Sequence, residues 1–532
     1  MKNEKKEENS FNFEQAKKNF GLGIEKIENK QYEEAEFFFR LSLNFAPTRL
    51  STLINLGAVL ITLNKIKSAE EIISQTLNLY PNDPISYLNK SRIFAIKKDW
   101  QNALEKIDQA ILINPHYAEA FSNRANILYE LYMLDAALES AEMAIKLNEK
   151  NSEAYYNCGI ILKELDRLED SLENFDKAIN LKQNYPEAYT NRGVVLLELN
   201  RLEEALLSNK EALKYLPDHP EANWNISIIN LLLGEYDEGF SKYEWRWRSK
   251  TILNQMGSVS TNKPNWLGNE DLKNKKILVQ SEQGLGDTIQ FCRYCTLLKK
   301  IGGKVILKVQ NPLIKLLSNI DGVDLVTEDE RHIPEYDFQT SLMSLPFAFK
   351  TNLETVPNNV PYLNVDKVKK EVWMSRLETK KKPTIGLAWS GSTKHKNDRN
   401  RSIKLTELKK YLPKGFDYVC LQSEIREIDK LELENSNIKH FESLLRDFSD
   451  TAALCSLMDI VISVDTSVAH LAGALNIKTW ILLPYMPDWR WMLERTDSPW
   501  YPSVTLIRQN IKNDWDYALN QVREKLYGFN EN

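Results

Sequence analysis

The chain has 532 residues, of which 27% are charged and 42% hydrophobic, with a formal net charge of −5. That length exceeds what one core supports, so two or three domains are expected. The absence of a basic excess argues against a nucleic-acid partner. The five cysteines, Cys158, Cys292, Cys295, Cys420 and Cys455, are scattered and odd in number. They do not read as a disulfide framework, and they fit a reducing compartment. Cys292 and Cys295 form a lone C-x-x-C, and with no second pair they read as ordinary helix cysteines.

Residues 1–13 begin with a charged stretch, Met1 to Ser10, that has no apolar core. It is not a signal peptide and reads as a disordered tail. No run is long enough to span a bilayer. The expectation is a soluble, cytoplasmic protein.

Residues 14–250 carry a period of 34. Small residues recur at Gly23, Gly57, Ser91, Ala125, Gly159 and Gly193, and again twelve positions later at Ala35, Ala69, Ala103, Ala137, Ser171 and Ala205. A third set falls at Ser42, Thr76, Ala110, Ala144, Ala178 and Ala212, and Pro47, Pro81, Pro115 and Pro217 close four repeats. Paired antiparallel helices with close crossings demand small side chains at such positions. The pattern resembles the tetratricopeptide (TPR) repeat: six copies to about residue 217, then a degenerate capping copy that keeps Ser227 and Gly239. That copy ends in Tyr243-Glu-Trp-Arg-Trp-Arg248, where aromatics replace the pattern, and is expected to dock on the second half of the chain. The fold class expected here is an α-solenoid of TPR helix pairs.

Asparagine recurs in one phase at Asn55, Asn89, Asn123, Asn157, Asn191 and Asn225. Each falls on the first helix of its repeat, which lines the concave face of such an array. Helix propensity does not favour asparagine. Its amide offers a donor and an acceptor to the backbone of an extended peptide. This ladder resembles the one lining the repeat domain of protein O-GlcNAc transferases, which implies a peptide-binding role. The alternative is that these amides bond neighbouring helices.

Residues 251–274 are rich in Ser, Thr, Asn, Gly and Pro and read as a linker, with Trp266 as an anchor. From 275 the grammar becomes α/β. Strands are expected at Ile277–Gln280, Val305–Val309, Asp324–Thr327, Phe338–Thr340, Thr384–Trp389, Tyr418–Leu421, Ile460–Val464 and Thr479–Leu483. Helical patterns between them imply parallel sheets covered on both faces. Val356–Pro361 separates two groups of strands, giving lobes at 275–363 and 364–532, the second ending in a helix.

Three stretches in this half carry chemistry. Ser281-Glu-Gln283-Gly284-Leu-Gly286-Asp287 follows a strand and opens a helix. Its glycines allow close backbone approach, and its helix end offers free N–H groups. Trp389 to Ser402 follows another strand and contains Lys394, Lys396, Arg399 and Arg401, suited to a diphosphate. A solvated charged loop is the alternative. Asp465-Thr466-Ser467-Val-Ala-His470 opens a further helix after a strand. Gln422 follows another strand and could bond a base or ribose; an ordinary loop glutamine is the alternative.

Together these stretches resemble the glycosyltransferase family 9 (heptosyltransferase-like) domain over about Lys275 to Gln509. The resemblance implies a two-lobed, Rossmann-like GT-B fold and metal-independent, inverting transfer from a nucleotide sugar, with no cofactor. It implies that Asp287 is the catalytic base on the acceptor side, beside Gln283, Gly284 and Gly286. Lys394, Arg401, Gln422, Asp465, Thr466, Ser467 and His470 are implied as donor-binding. Ser467 stands where that family carries glycine. The acceptor expected is a protein or peptide guided by the repeats. Two other readings are a non-catalytic TPR scaffold with a degenerate transferase domain, and an enzyme with a glycan or lipid acceptor. A nucleotide oxidoreductase is disfavoured, because Ile289 occupies the third glycine position of the dinucleotide fingerprint.

Overall fold

The computed structural model describes residues 2–249, 253, 263–377, 382–393 and 397–530. They form two compact units, Met1–Leu199 and Asn200–Asn532. The repeat helices are α1 (Lys2–Glu28), α2 (Tyr32–Phe45), α3 (Leu50–Thr62), α4 (Ile66–Leu79), α5 (Pro84–Ile96), α6 (Trp100–Ile113), α7 (Ala118–Glu130), α8 (Leu134–Leu147), α9 (Ser152–Glu164), α10 (Leu168–Leu181), α11 (Pro186–Glu198), α12 (Leu202–Tyr215), α13 (Pro220–Leu233) and α14 (Tyr236–Tyr243). Helix α1 starts at Lys2, through the stretch read from sequence as a disordered tail. Its Glu, Lys and Gln residues are good helix formers.

In the first unit, α1 to α11 stack in sequence order. The small-residue positions are where helices cross. A Cβ on Gly23 would lie 2.5 Å from the Phe39 ring, and one on Gly159 would lie 2.9 Å from Phe175. Where serine fills a slot, its hydroxyl bonds the partner helix: Ser91 Oγ to Ala103 O at 2.7 Å and Ser171 Oγ to Gly159 O at 2.6 Å. The turn inside each repeat holds one left-handed residue, at Lys30, Asn64, Lys98, Tyr132 and Asp166, again 34 apart. Such a residue ends a helix and satisfies its last carbonyls.

In the second unit, α12 packs on α13, α13 on α14, and a 3₁₀ turn (Glu244–Arg248) continues α14. Repeat spacing alone divides the chain near residue 250. These helices instead group with the α/β region, because Tyr236, Phe240 and Tyr243 pack against Trp489. Of the expected linker, residues 251, 252 and 254–262 lie outside the described residues. Trp266 is buried, with its indole N–H donated to Glu270 O at 2.9 Å and its ring against Phe349.

The α/β region holds two sheets. The first contains β1 (Lys276–Gln280), β2 (Lys304–Lys308), β3 (Leu325–Thr327) and β4 (Phe338–Ser341) in the order β3-β2-β1-β4. The second contains β5 (Thr384–Ala388), β6 (Asp417–Cys420), β7 (Ile438–Lys439), β8 (Ile460–Val464), β9 (Thr479–Leu483) and β10 (Val504–Arg508) in the order β10-β9-β8-β5-β6-β7. Every pairing between these strands is parallel. All residues of β5, β8 and β9 are buried, as strands covered on both faces require. Strands β7 and β10 are additions to the expected set. Pro487–Pro502 lies between β9 and β10.

In sheets of this kind, ligands bind beyond the carboxyl ends of strands where the order reverses. The reversals lie between β1 and β4 in the first sheet and between β5 and β8 in the second. The Asp287 turn follows β1, the Trp389–Ser402 loop follows β5, and Asp465 follows β8. No helix among the described residues is long and apolar enough to cross a membrane.

Candidate functional site

The turn after β1 leads into the helix Leu285–Phe291, capped by Gly284. Asp287, the third residue of that helix, turns back so that Oδ2 accepts the Gly284 N–H at 2.7 Å. Its other oxygen, Oδ1, is paired with Arg490 from the second sheet's side. Arg490 is buried and also donates to Gln290 Oε1 at 2.8 Å and Asp488 Oδ1 at 2.7 Å. The carboxylates of Asp488 and Asp287 raise its already high pKa against the opposing effect of burial. Both Asp287 oxygens are thus engaged, each by one donor, and each keeps a second lone pair.

At Gly286 the two halves of the unit approach each other closely. A Cβ there would stand 2.8 Å from His470 Cδ2 and 3.5 Å from Ser467 Cα. Only a glycine lets this helix start lie against the helix Ser467–Ala474, which Thr466 precedes as cap residue. Thr466 Oγ1 lies 3.2 Å from Ser463 Oγ, and Ser467 is the first helical residue. His470 Nδ1 lies 3.0 Å from the Tyr501 hydroxyl, and Nε2 lies 3.9 Å from Asp465 Oδ1. Its ring stacks on Trp491 at 5.2 Å. Burial first, then the charges of Arg490, Arg293 and Arg401, push the His470 pKa well below its ordinary value, so the ring is neutral. Burial and the nearby Asp488 carboxylate raise the Asp465 pKa to about 6.

Arg401 closes the site from the loop after β5. Its Nη1 donates to Asp465 O at 2.8 Å, and a Cβ on Gly391 would meet its Nη2 at 2.5 Å. Lys394 lies outside the described residues. Gln422 is buried and spends its amide on the fold. Its Oε1 accepts from Trp389 N at 2.7 Å and Ser390 N at 3.1 Å, and its Nε2 donates to Ser390 Oγ and Glu424 O. Gln283 donates to the Tyr243 hydroxyl at 2.9 Å. One cluster therefore collects Gly284, Gly286, Asp287, Arg401, Asp465, Thr466, Ser467 and His470, with Gln283 and Gln422 bracing its edges. Arg490 and Tyr501 are site residues that the sequence analysis does not single out. The available signal was an arginine set between two tryptophans, which needs an acidic partner once buried.

The first unit holds a separate cavity of about 410 Å³, lined by Arg92, Asn123, Tyr129, Tyr156 and Asn157 among others. The asparagines on the repeats do not behave alike. Asn55, Asn123 and Asn191 are partly exposed, and each donates its amide to the carbonyl four residues earlier; Asn123 Oδ1 also accepts from Arg92 at 3.5 Å, and Asn191 also donates to the Tyr156 hydroxyl at 3.0 Å. Asn89 and Asn157 are buried, the latter donating to Ser122 Oγ at 3.2 Å. In the second unit Asn225 donates to Asn209 Oδ1 at 3.1 Å.

A family model described as "TPR repeat" matches residues 161–200, and one described as "Tetratricopeptide repeat" matches residues 190–244. The chain carries TPR repeats, followed by an α/β region. "Protein FlbA" of Caulobacter vibrioides (strain ATCC 19089 / CIP 103742 / CB 15) is 26% identical over 323 residues, 56% of this chain. The chain spans about half the length of that curated relative (53%). Among solved structures, "YrrB: a TPR protein with an unusual peptide-binding site" is 22% identical, with 35% of this chain and 95% of that one covered and a TM-score of 0.29. A tetratricopeptide repeat protein from Parabacteroides merdae ATCC 43184 is 14% identical, with 45% and 96% covered and a TM-score of 0.37.

Proposed function

We propose that the second unit transfers a sugar from a nucleotide-diphosphate donor to an acceptor hydroxyl with inversion, and that the TPR repeats present a protein or peptide acceptor. One observation carries this reading most. The Asp287 turn, the Arg401 loop and the Asp465–His470 helix start follow strands at the order reversals of two parallel sheets; the first and third meet at Gly286, and Arg401 bonds Asp465 O. In this scheme the acceptor oxygen attacks the anomeric carbon while Asp287 takes its proton. The bond from that carbon to the phosphate oxygen breaks, and its electron pair leaves with the diphosphate. Arg401 and the N-terminus of the Ser467–Ala474 helix stabilise the departing charge. Neutral His470 adds no cation and serves as a hydrogen-bonding wall.

The test is transfer of labelled sugar from UDP-, GDP- and ADP-sugars onto protein, with parent and Asp287→Asn. A general base contributes roughly 10²–10⁴-fold. The variant should lose that factor while binding the donor as the parent does. Full transfer by the variant refutes the role of Asp287.

A scaffold is the second reading, and one feature favours it: Asp287 acts as a helix cap and ion-pair partner, as it would in a non-catalytic fold. The TPR repeats fit protein–protein interaction under either reading. An enzyme with a glycan or lipid acceptor would keep the cleft chemistry and dispense with the repeat cavity.

A further inference from the structure

The turn that carries Asp287 is held from outside its own sheet. Arg246, in the 3₁₀ turn that ends the last repeat, is fully buried. It binds Glu282 through both carboxylate oxygens, Nε to Oε2 at 3.1 Å and Nη2 to Oε1 at 3.0 Å. Its remaining N–H groups go to Tyr243 O, Glu244 Oε1 and Ser344 Oγ. The next residue of the turn, Gln283, donates to the Tyr243 hydroxyl at 2.9 Å and accepts at its carbonyl from Gln310 at 2.9 Å. Tyr243 also packs against Trp489, the neighbour of Arg490, at 6.3 Å between ring centroids. One short piece of the last repeat therefore touches the turn that bears Asp287 and the segment that bears its arginine partner.

A buried Arg–Glu pair rarely stabilises a fold more than apolar residues of like volume, because both charges lose their water. Its two parallel bonds do fix relative position, which apolar packing does more loosely. We propose that Arg246 and Tyr243 are positioning residues: the last repeat belongs to the candidate site and sets the Ser281–Asp287 turn so that the carboxylate faces the cleft. The catalytic consequence rests on the transferase reading; the positioning itself does not.

The test uses the full chain and two variants. The pair Arg246→Met/Glu282→Met removes both charges together and keeps volume. Tyr243→Phe deletes one hydroxyl. Hydrogen exchange of the peptide spanning 281–291, which includes the Gly284 amide bonded to Asp287, needs no substrate. Exchange there should quicken by about tenfold or more in both variants, while the melting of the rest of the unit stays near that of the parent. Unchanged exchange in both overturns the proposal. If the methionine pair does not fold, Tyr243→Phe decides alone.

Turnover is then read with UDP-N-acetylglucosamine, GDP-mannose and ADP-glucose. The expected result is kcat lowered about tenfold, with KM for the donor within about twofold. Faster exchange with unchanged kcat overturns the catalytic consequence of the positioning. A parent chain inactive on all three donors counts against the transferase reading and leaves exchange to decide the brace.

Discussion

Replacing Gly286 by alanine tests whether the two helix starts meet as described. The new Cβ would lie 2.8 Å from His470 Cδ2, closer than real Cβ contacts come. The imidazole is not free to retreat, because Trp491 stacks on it and the Tyr501 hydroxyl bonds Nδ1. Overpacking of this kind costs about 1–3 kcal/mol. Alanine regains up to about 1 kcal/mol over glycine inside a helix. The single variant should therefore lose roughly 0–2.5 kcal/mol, a range that includes zero and does not decide alone. In a His470→Ala background the obstruction is gone, and Gly286→Ala should then stabilise by about 0.5–1 kcal/mol. The double-mutant cycle thus predicts a coupling of about 1–3 kcal/mol. Eleven of the twelve tryptophans lie in Asn200–Asn532, so urea unfolding followed by fluorescence reports on the relevant unit. Additivity within about 0.5 kcal/mol would refute the contact on which the site depends.

Other outcomes follow from the same geometry. The Asp465 carboxyl has its pKa raised from 3.8 to about 6, so between those values the folded state binds a proton that the unfolded state releases. Stability from this group falls as pH rises through that window, by about 3 kcal/mol at most for a shift of about two units. Asp465→Asn should be more stable than the parent at pH 7, with the gain gone by about pH 4 in urea titrations. In the first unit, Asn157→Ala strips a partner from buried Ser122 and should cost about 1–2 kcal/mol. Asn55→Ala loses only a bond to its own helix and should change stability by no more than about 0.5 kcal/mol in either direction, read by circular dichroism.

The repeats were legible because their constraint is local and periodic. A helix crossing that brings the Phe39 ring within 2.5 Å of a Cβ on Gly23 excludes larger residues, and the exclusion recurs every 34 positions. The central strands were legible because β5, β8 and β9 are buried throughout and so are mostly apolar runs. Strand β7 is two residues long and gives no periodic signal, and β10 follows an aromatic stretch that masks its start. The glycine turn and the Asp465–His470 segment were visible as strand-to-helix junctions, a pattern set by neighbours in sequence. Arg490 was not, since its pairing with Asp287 spans 203 positions and no local rule links them. Gln422 shows the converse. A loop glutamine after a strand looks available for a ligand, yet two backbone amides occupy its oxygen. The asparagine register was visible as well, but identical spacing leaves Asn89 and Asn157 buried and Asn55 and Asn123 partly exposed.

Nucleotide-sugar binding by the full chain tests the central claim most directly. Fluorescence-monitored melting with UDP-, GDP- and ADP-sugars at about 100 times their dissociation constant should show one nucleotide class stabilising the second unit by about 2.7 kcal/mol. The gain should persist in Asp287→Asn and disappear in Arg401→Met. No stabilisation by any of the three classes, at any concentration, would contradict the account.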